Sequence, residues 1–509
     1  MHALPQSVFK AYDIRGIVPE QINDDFAFLL GRALGQRARQ LDHASIVLGF
    51  DGRHSSPHLA QQLSAGIRDQ GVQVINLGMV PTPLVYFYTY HHQIGAAVAI
   101  TGSHNPPDYN GFKMMLNGQA LYGEQVSSLH AEMLALLEKG TANSLTPPLL
   151  KPALNTPPAR HEKGLANPLT TPPSHTTQDE SLRQQEKGQG NMAGSEQVIN
   201  VIPDYIQRIA SDIQLSRPMK IAIDCGSGVG GVVAEDLFRR LGCDVDALYC
   251  EVDANFPHHH PDPADPHNLV DLIKHVQTSD CEIGLAFDGD ADRLGVVTKS
   301  GQIIWPDRQL ILFCQDVLSR VPGATIVYDV KCSRHVGEQI EAAGGKALMW
   351  QTGHSLIKHK MLLEQAALGG EMSGHIFFKE RWYGFDDGLY TGARLLEILS
   401  RHENASAVLE ALPQDISTPE LKIQMQDGQP HALIAQLQAQ AELPKATRLI
   451  KIDGIRAEYP YGFGLARASN TTPVIVLRFE AQDQESLAQI KADFRALFQQ
   501  FAPDVTLPF

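Results

Sequence analysis

No run of about 18 apolar residues occurs in this sequence, so it offers no membrane-spanning helix. Its opening residues, MHALPQSVFKAYDIRG, lack the basic-then-apolar build of a secretory signal. Six cysteines are scattered without one C-x-x-C pair, which excludes a disulfide framework and a thiolate zinc site. These absences lead us to expect a reduced, cytoplasmic protein. Positive charge is scarce as well: 42 Lys and Arg against 57 Asp and Glu leave a net charge of −15. Binding to nucleic acid depends on cations that neutralise phosphates, so neither nucleic acid nor a membrane is an expected partner. The G-x-S-x-G elbow of many serine hydrolases is also missing.

What is present is rhythm. From Ser45 onward, short apolar runs alternate with amphipathic stretches: SIVLGFD, then Ser56 to Gln70, then VQVINLG and GAAVAI. The pattern restarts at Lys220 with KIAIDCG and ends on CEIGLAFDGDADRLGVVT. It appears a third time from ATIVYDVKCS to LGGEMSGHIFF. Such alternation implies βαβ units and mostly parallel sheets, here in three related α/β domains. The tail from about Ile416 breaks the pattern and reads as a smaller α+β domain. At 509 residues the chain has room for three or four domains of about 100–200 residues. We place them at 1–140, 201–303, 304–415 and 416–509. Residues 141–200, rich in Pro, Thr and Gln, read as a flexible insertion, because they cannot bury enough apolar surface to offset their ordering entropy.

Two loops carry chemistry. ITGSHNPPDYNGFK displays Ser103 at the end of an apolar run, with His104 beside it and Lys113 ten residues on. FDGDADRLG sets Asp288, Asp290 and Asp292 at alternate positions. An EF-hand begins the same way but needs Gly at its sixth position and Glu at its twelfth; here these are Arg293 and Lys299. Three clustered carboxylates repel one another unless a hard cation lies between them, and all-oxygen donors favour Mg²⁺. Arg15 in YDIRG and the run Arg467, Ser469, Asn470 and Thr471 supply donors suited to phosphate oxygens. With the displayed serine they point to phosphate chemistry.

Three features invite other readings. GSGVGG, Gly226 to Gly231, fits the dinucleotide fingerprint, with Asp244 and Asp246 downstream. It would suggest an NAD-dependent dehydrogenase, although any tight turn from strand to helix needs glycine. FPHHHPDPADPHN looks like a metal site, although consecutive histidines seldom converge on one ion. His104 beside Ser103 suggests a hydrolase pair, although adjacent residues rarely serve as nucleophile and base.

With these motifs in hand, the chain resembles the α-D-phosphohexomutases, and within them the bacterial bifunctional phosphomannomutase/phosphoglucomutase branch. YDIRG, TGSHNPPDYNGFK, FDGDADR, TGHSLIK, GEMSGHIFFKERWYGFDDG and RASNTTP occur in the family's order, and the likeness covers nearly everything outside 141–200. It implies a four-domain, heart-shaped architecture of three α/β domains with mixed sheets and a smaller C-terminal one, and a monomer. It implies that Ser103 is a phosphoserine, and that Ser103, Asp288, Asp290 and Asp292 hold Mg²⁺. Arg15, Lys113 and His375 would be catalytic. Tyr12, His104, Arg293, Lys331, His354, Glu371 and Ser373 would contact substrate, and Arg467, Ser469, Asn470 and Thr471 would grip its non-reacting phosphate. The substrates implied are hexose phosphates, with a hexose 1,6-bisphosphate as activator and intermediate. The glucosamine-specific branch carries Gln where this chain has Met372, which favours glucose and mannose. Phosphoglucosamine mutase is the alternative within this chemistry; a catalytically silent sugar-phosphate-binding protein and the dehydrogenase lie outside it. One departure from the family's DGDGD loop is Ala291, which would be strained if that position needs a positive φ.

Overall fold

The computed structural model describes residues 4–141, 193–426, 428–470 and 472–509. Residues 142–192 of the Pro-rich tract, and Thr471, lie outside the described residues. The first sheet comprises β1 (Ile14–Ile17), β2 (Ser45–Phe50), β3 (Gln73–Met79), β4 (Ala97–Ile100), β5 (Tyr109–Leu116), β6 (Gln119–Ala120) and β7 (Glu196–Val198). Its order is β1-β5-β4-β2-β3-β7, with β6 on β5. The second contains β8 (Lys220–Asp224), β9 (Asp244–Leu248), β10 (Ile283–Phe287), β11 (Leu294–Thr298) and β12 (Ile303–Ile304), in the order β12-β11-β10-β8-β9. The third orders β13 (Thr325–Asp329), β14 (Lys346–Trp350), β15 (Leu368–Gly370) and β16 (Ile376–Phe378) as β14-β13-β15-β16.

One unit recurs in all three. A first strand (β2, β8 or β13) is flanked by two parallel neighbours, and the last strand (β5, β11 or β16) returns antiparallel to the third. The sheets are therefore mixed rather than mostly parallel. A helical crossover produces a parallel neighbour, whereas a short loop permits only an antiparallel return. The three returning loops carry Ser103, the aspartates, and Glu371 to His375, so equivalent corners of the three units supply the chemical groups.

Local rules account for the helices. Asn23 caps the helix Asp24–Gln40 by accepting from Phe26 N, and two aspartates occupy its first turn. Leu59, Ala60, Leu63 and Ile67 form the buried stripe of Ser56–Asp69. Strand β7, counted in sequence with the Pro-rich tract, instead extends the first sheet beside β3. Its Glu196 accepts hydrogen bonds from Ser64 and Asn76, both at 2.8 Å.

A continuous apolar core joins the first three domains, running through Phe87, Tyr205, Phe238, Leu310 and Leu389. The helix Gly388–Leu399 is buried at all twelve positions. The fourth domain has its own core around Leu477, Phe479, Ile490 and Phe494. Its sheet comprises β17 (Ile416–Ser417), β18 (Leu421–Gln424), β19 (Arg448–Ile450), β20 (Ile455–Tyr459), β21 (Gly462–Ala468) and β22 (Val474–Ala481). No described helix is long and apolar enough to cross a membrane.

Candidate active site

Ser103 lies where β4 ends, with φ +49°, and is 2% exposed. Its hydroxyl donates to Asp288 Oδ2 at 3.2 Å and lies 3.1 Å from His104 Nδ1. The left-handed backbone at Ser103 lets the adjacent imidazole reach the hydroxyl. Burial, together with the positive charges of Arg293 and Arg15, holds His104 well below the usual histidine range, so its ring is neutral. Lys113, on β5, does not touch Ser103. Its Nζ bridges Asp290 Oδ2 at 2.6 Å and Asp292 Oδ2 at 2.5 Å.

Asp288, Asp290 and Asp292 are fully buried, with ligand oxygens within 4.8 Å of one another. Burial and the charges of Asp292 and Asp290 push the Asp288 carboxyl well up. Asp290 Oδ1 is buried without a hydrogen-bond partner among the described residues. A hard cation fits such a set: it would satisfy the orphaned oxygen and offset the mutual repulsion. Ala291 has φ +59°, so the methyl that replaces the family's glycine is held in a strained conformation.

The second and third domains meet over this loop through an isolated bridge between Arg293 and His375. Arg293 Nε lies 3.2 Å from His375 Nε2 and 3.7 Å from Asp288 Oδ2. His375 Nδ1 lies 2.8 Å from Glu371 Oε2 and 3.2 Å from Ser373 Oγ, and its Nε2 is 3.3 Å from Asp292 Oδ1. Burial opposes its charge, but Asp292 and Glu371 outweigh burial and raise it to about 9. Glu371 also accepts from Gly353 N at 2.6 Å. Tyr12 sets its ring edge-on to His354, centroids 4.9 Å apart, and His354 lies 5.5 Å from His375. Arg15 pairs with buried Asp13 at 2.7 Å.

The remaining cations gather where the third and fourth domains meet. Lys331 Nζ donates to Glu420 at 2.7 Å, and Arg467 Nε to Asp453 at 2.9 Å. Arg467 Nη2 is buried with no hydrogen-bond partner among the described residues, leaving a donor for an anion. Asn470 donates to Thr352 O at 3.3 Å, and Thr472 N to Ser469 Oγ at 3.3 Å. Thr352 and Gly353 thus connect the Asn470 loop to the Glu371 loop.

Sequence reading missed Thr82, whose hydroxyl donates to Asp290 Oδ2 at 2.6 Å, and it missed Asp386 and Asp453. Thr82 and Asp453 lie in no patterned motif; Asp386, inside GEMSGHIFFKERWYGFDDG, and Asp13, inside YDIRG, could have been found. The other candidate motifs are structural. Gly228 and Gly231 sit so close to Gly289 O and Cys250 O that a Cβ would lie 2.9 and 1.9 Å from them. Protein backbone, with no room for a dinucleotide, fills that turn. His259 pairs with Asp224 at 3.0 Å and His260 hydrogen-bonds His104 O, so the histidine run braces the Ser103 loop.

Known proteins share this arrangement. The sequence matches the phosphoglucomutase/phosphomannomutase alpha/beta/alpha domains I, II and III over residues 6–138, 203–301 and 305–416, and the C-terminal domain over 420–497. A phosphoglucomutase of Neisseria gonorrhoeae is 49% identical over 500 residues, 98% of either chain. A phosphomannomutase/phosphoglucomutase of Pseudomonas aeruginosa is 45% identical, over 99% of this chain and 98% of its own. The crystal structure of a phosphoglucomutase/phosphomannomutase family protein from Burkholderia thailandensis superposes with a TM-score of 0.85 at 45% identity, covering all of both chains. Four domain matches in order, full-length relatives and one superposable structure lead to a single conclusion: the chain belongs to the phosphoglucomutase/phosphomannomutase family.

Proposed function

We propose that the protein interconverts the 1-phosphates and 6-phosphates of glucose and mannose through a phosphorylated Ser103 and a hexose 1,6-bisphosphate. The observation that carries this reading is the contact of the Ser103 hydroxyl with Asp288, at 3.2 Å, in a buried all-oxygen cluster. Asp288, Asp290, Asp292 and Ser103 would hold Mg²⁺, which when bound supplies positive charge to the phosphoryl oxygens.

Phosphoryl transfer relies on positioning and charge neutralisation more than on covalent help. Phosphoserine carries about −1.5 to −2 charges at neutral pH. Arg15, Lys113 and Arg293 offset that charge. In the forward half, O6 of a hexose 1-phosphate attacks phosphorus, the Ser103 Oγ–P bond breaks, and the O6 proton passes to a base. His375, held as a cation between Asp292 and Glu371, suits an acid or orienting role there rather than that of the base. The bisphosphate then turns over, and Ser103 Oγ takes the phosphoryl group from O1. Arg467, Ser469, Asn470 and Thr471 grip whichever phosphate is idle. If Glu371 and Ser373 bind O3 and O4, no group reads C2, so both sugars are substrates. All six cysteines are free, in keeping with a reduced cytoplasmic setting.

The test is intact mass after incubation with glucose 1,6-bisphosphate. One added phosphate, absent in Ser103→Ala, is expected; no addition to the wild type overturns the reading.

A further inference from the structure

The first strand of each repeated unit ends on, or is directly followed by, a buried aspartate: Asp51, Asp224 and Asp329. Two of them tie down the returning loop of their own unit. Asp51 Oδ2 accepts from Gly102 N at 3.0 Å, and Asp329 Oδ1 from Met372 N at 3.3 Å, each donor directly preceding a serine. Two residues after these aspartates stand Arg53, Gly226 and Lys331. Lys331 reaches out to Glu420 in the fourth domain. In the second unit, where Gly226 has no side chain, His259 comes from elsewhere to meet Asp224.

Arg53 does something different. It is 2% exposed, and its guanidinium is turned into its own loop. Nη2 donates to Ser103 O at 2.8 Å and Asn105 O at 2.6 Å; Nη1 donates to Tyr109 O at 2.9 Å and to Pro106 O. Nε lies 3.2 Å from Asp51 Oδ2. The guanidinium packs so tightly that a Cβ on Gly102 would lie 2.3 Å from its Cζ. Phe256, from the second domain, covers it at 5.4 Å.

We propose that Arg53 is a positioning residue for phosphoryl transfer, holding the Ser103 loop with its carbonyl oxygens turned inward while the Ser103 hydroxyl faces the aspartates. Four carbonyl oxygens are negative ends of dipoles; free to rotate, they would compete for the cations that serve the phosphoryl group. Ser103 also has a left-handed backbone, which persists only where surrounding contacts enforce it. A planar fork of five donors can serve several acceptors at fixed angles, whereas a lysine ammonium acts as a point charge.

This role rests on the mutase reading. In Arg53→Lys, kcat for glucose 1-phosphate is expected to fall about 10- to 100-fold with KM within about twofold, the signature of a slightly displaced reacting atom. Arg53→Ala is expected to fall further and to regain part of its kcat in millimolar methylguanidinium, while Asp290→Asn gains nothing from it. Unchanged kcat in Arg53→Lys overturns the positioning role, as does absence of rescue in a folded Arg53→Ala. Loss of the far-UV circular dichroism of both variants also overturns it, making Arg53 a pillar of the domain. Failure of wild-type Ser103 to take up phosphate is the separate result that removes the mutase reading itself.

Discussion

Two joints in this molecule are built from opposite materials. The first three domains meet in a largely aromatic and apolar seam where Trp382 stacks on Tyr390, centroids 4.1 Å apart, and Phe87 packs against both Trp382 and Tyr205. The fourth domain meets the third mainly through charge, around one small apolar cluster of Val330, Phe463 and Leu465. Arg478 Nη2 lies 3.1 Å from Asp307 and 3.3 Å from Glu480, and Ser333 donates to Glu480 at 2.6 Å. Arg456 donates to the carbonyls of Val330 and Cys332, both at 2.6 Å, with its guanidinium 3.6 Å from the Phe463 centroid. Apolar burial resists opening in every direction, whereas water can replace hydrogen bonds one by one, and polar interdomain contacts accompany relative motion. On the proposed function, the groups that would transfer the phosphoryl group, which need near-fixed geometry, stand in the first three domains. On the same proposal, the loop carrying Arg467 and Asn470, which would receive either end of a bisphosphate, stands on the fourth domain.

The largest expected effect comes from damaging the first three domains. Asp290→Asn should lower kcat on the order of a thousandfold or more while circular dichroism and melting temperature stay near wild type. Preserved turnover would remove the aspartate cluster from the chemistry. Next comes the contrast between the joints. Trp382→Ala should cost about 3–5 kcal/mol and move the unfolding of the first three domains as one transition. Arg478→Met leaves Asp307 and Glu480 buried without their cation, at a cost of about 3–5 kcal/mol. Its loss should appear in calorimetry as an earlier, separate transition of the fourth domain; one concerted shift in both variants would erase the distinction.

Arg467→Met should raise KM for glucose 1-phosphate by about 10- to 100-fold, equivalent to about 1.5–3 kcal/mol for hydrogen bonds to a charged group, with little change in kcat. A kcat effect larger than the KM effect would place Arg467 among the transfer groups. The smallest expected effect concerns Lys331 and Glu420. The Lys331 ammonium draws the Glu420 carboxyl from 4.5 to about 2. A depressed folded-state value stabilises above pH 4.5, and that contribution is lost as pH falls toward 2. The difference in denaturation midpoint between wild type and Glu420→Gln should therefore be present at about pH 6, begin to shrink below about pH 4.5 and approach zero only near about pH 2. A pH-independent difference would contradict an ionic joint.

Much of the site was legible because chemistry concentrates in loops whose residues are contiguous. Asp288, Asp290 and Asp292 alternate within five residues, and Ser103 follows an apolar strand. The helix and strand rhythm was legible for the same local reason. What escaped reading comes from distant segments. Thr82 meets Asp290 across 208 positions, and Arg53 meets the Ser103 carbonyl across 50. Cys225 and Cys250 bring their sulfurs within 3.6 Å without any paired spacing. The approach of His104 to Ser103 depends on one positive φ that a Ser-His dipeptide does not announce.

By itself, the sequence determined the elements and the chemical alphabet: periodic burial makes strands and helices, glycine and proline end them, and carboxylates cluster where spacers are small. Tertiary structure alone decided the partners. It placed Lys113 on the aspartates, His104 on Ser103, and Arg53 beneath the loop, and it made one joint apolar and the other ionic. The physical reason is range. Propensity and periodicity act within a few residues, whereas hydrogen bonds and desolvation depend on which surfaces the packed core brings within about 3 Å.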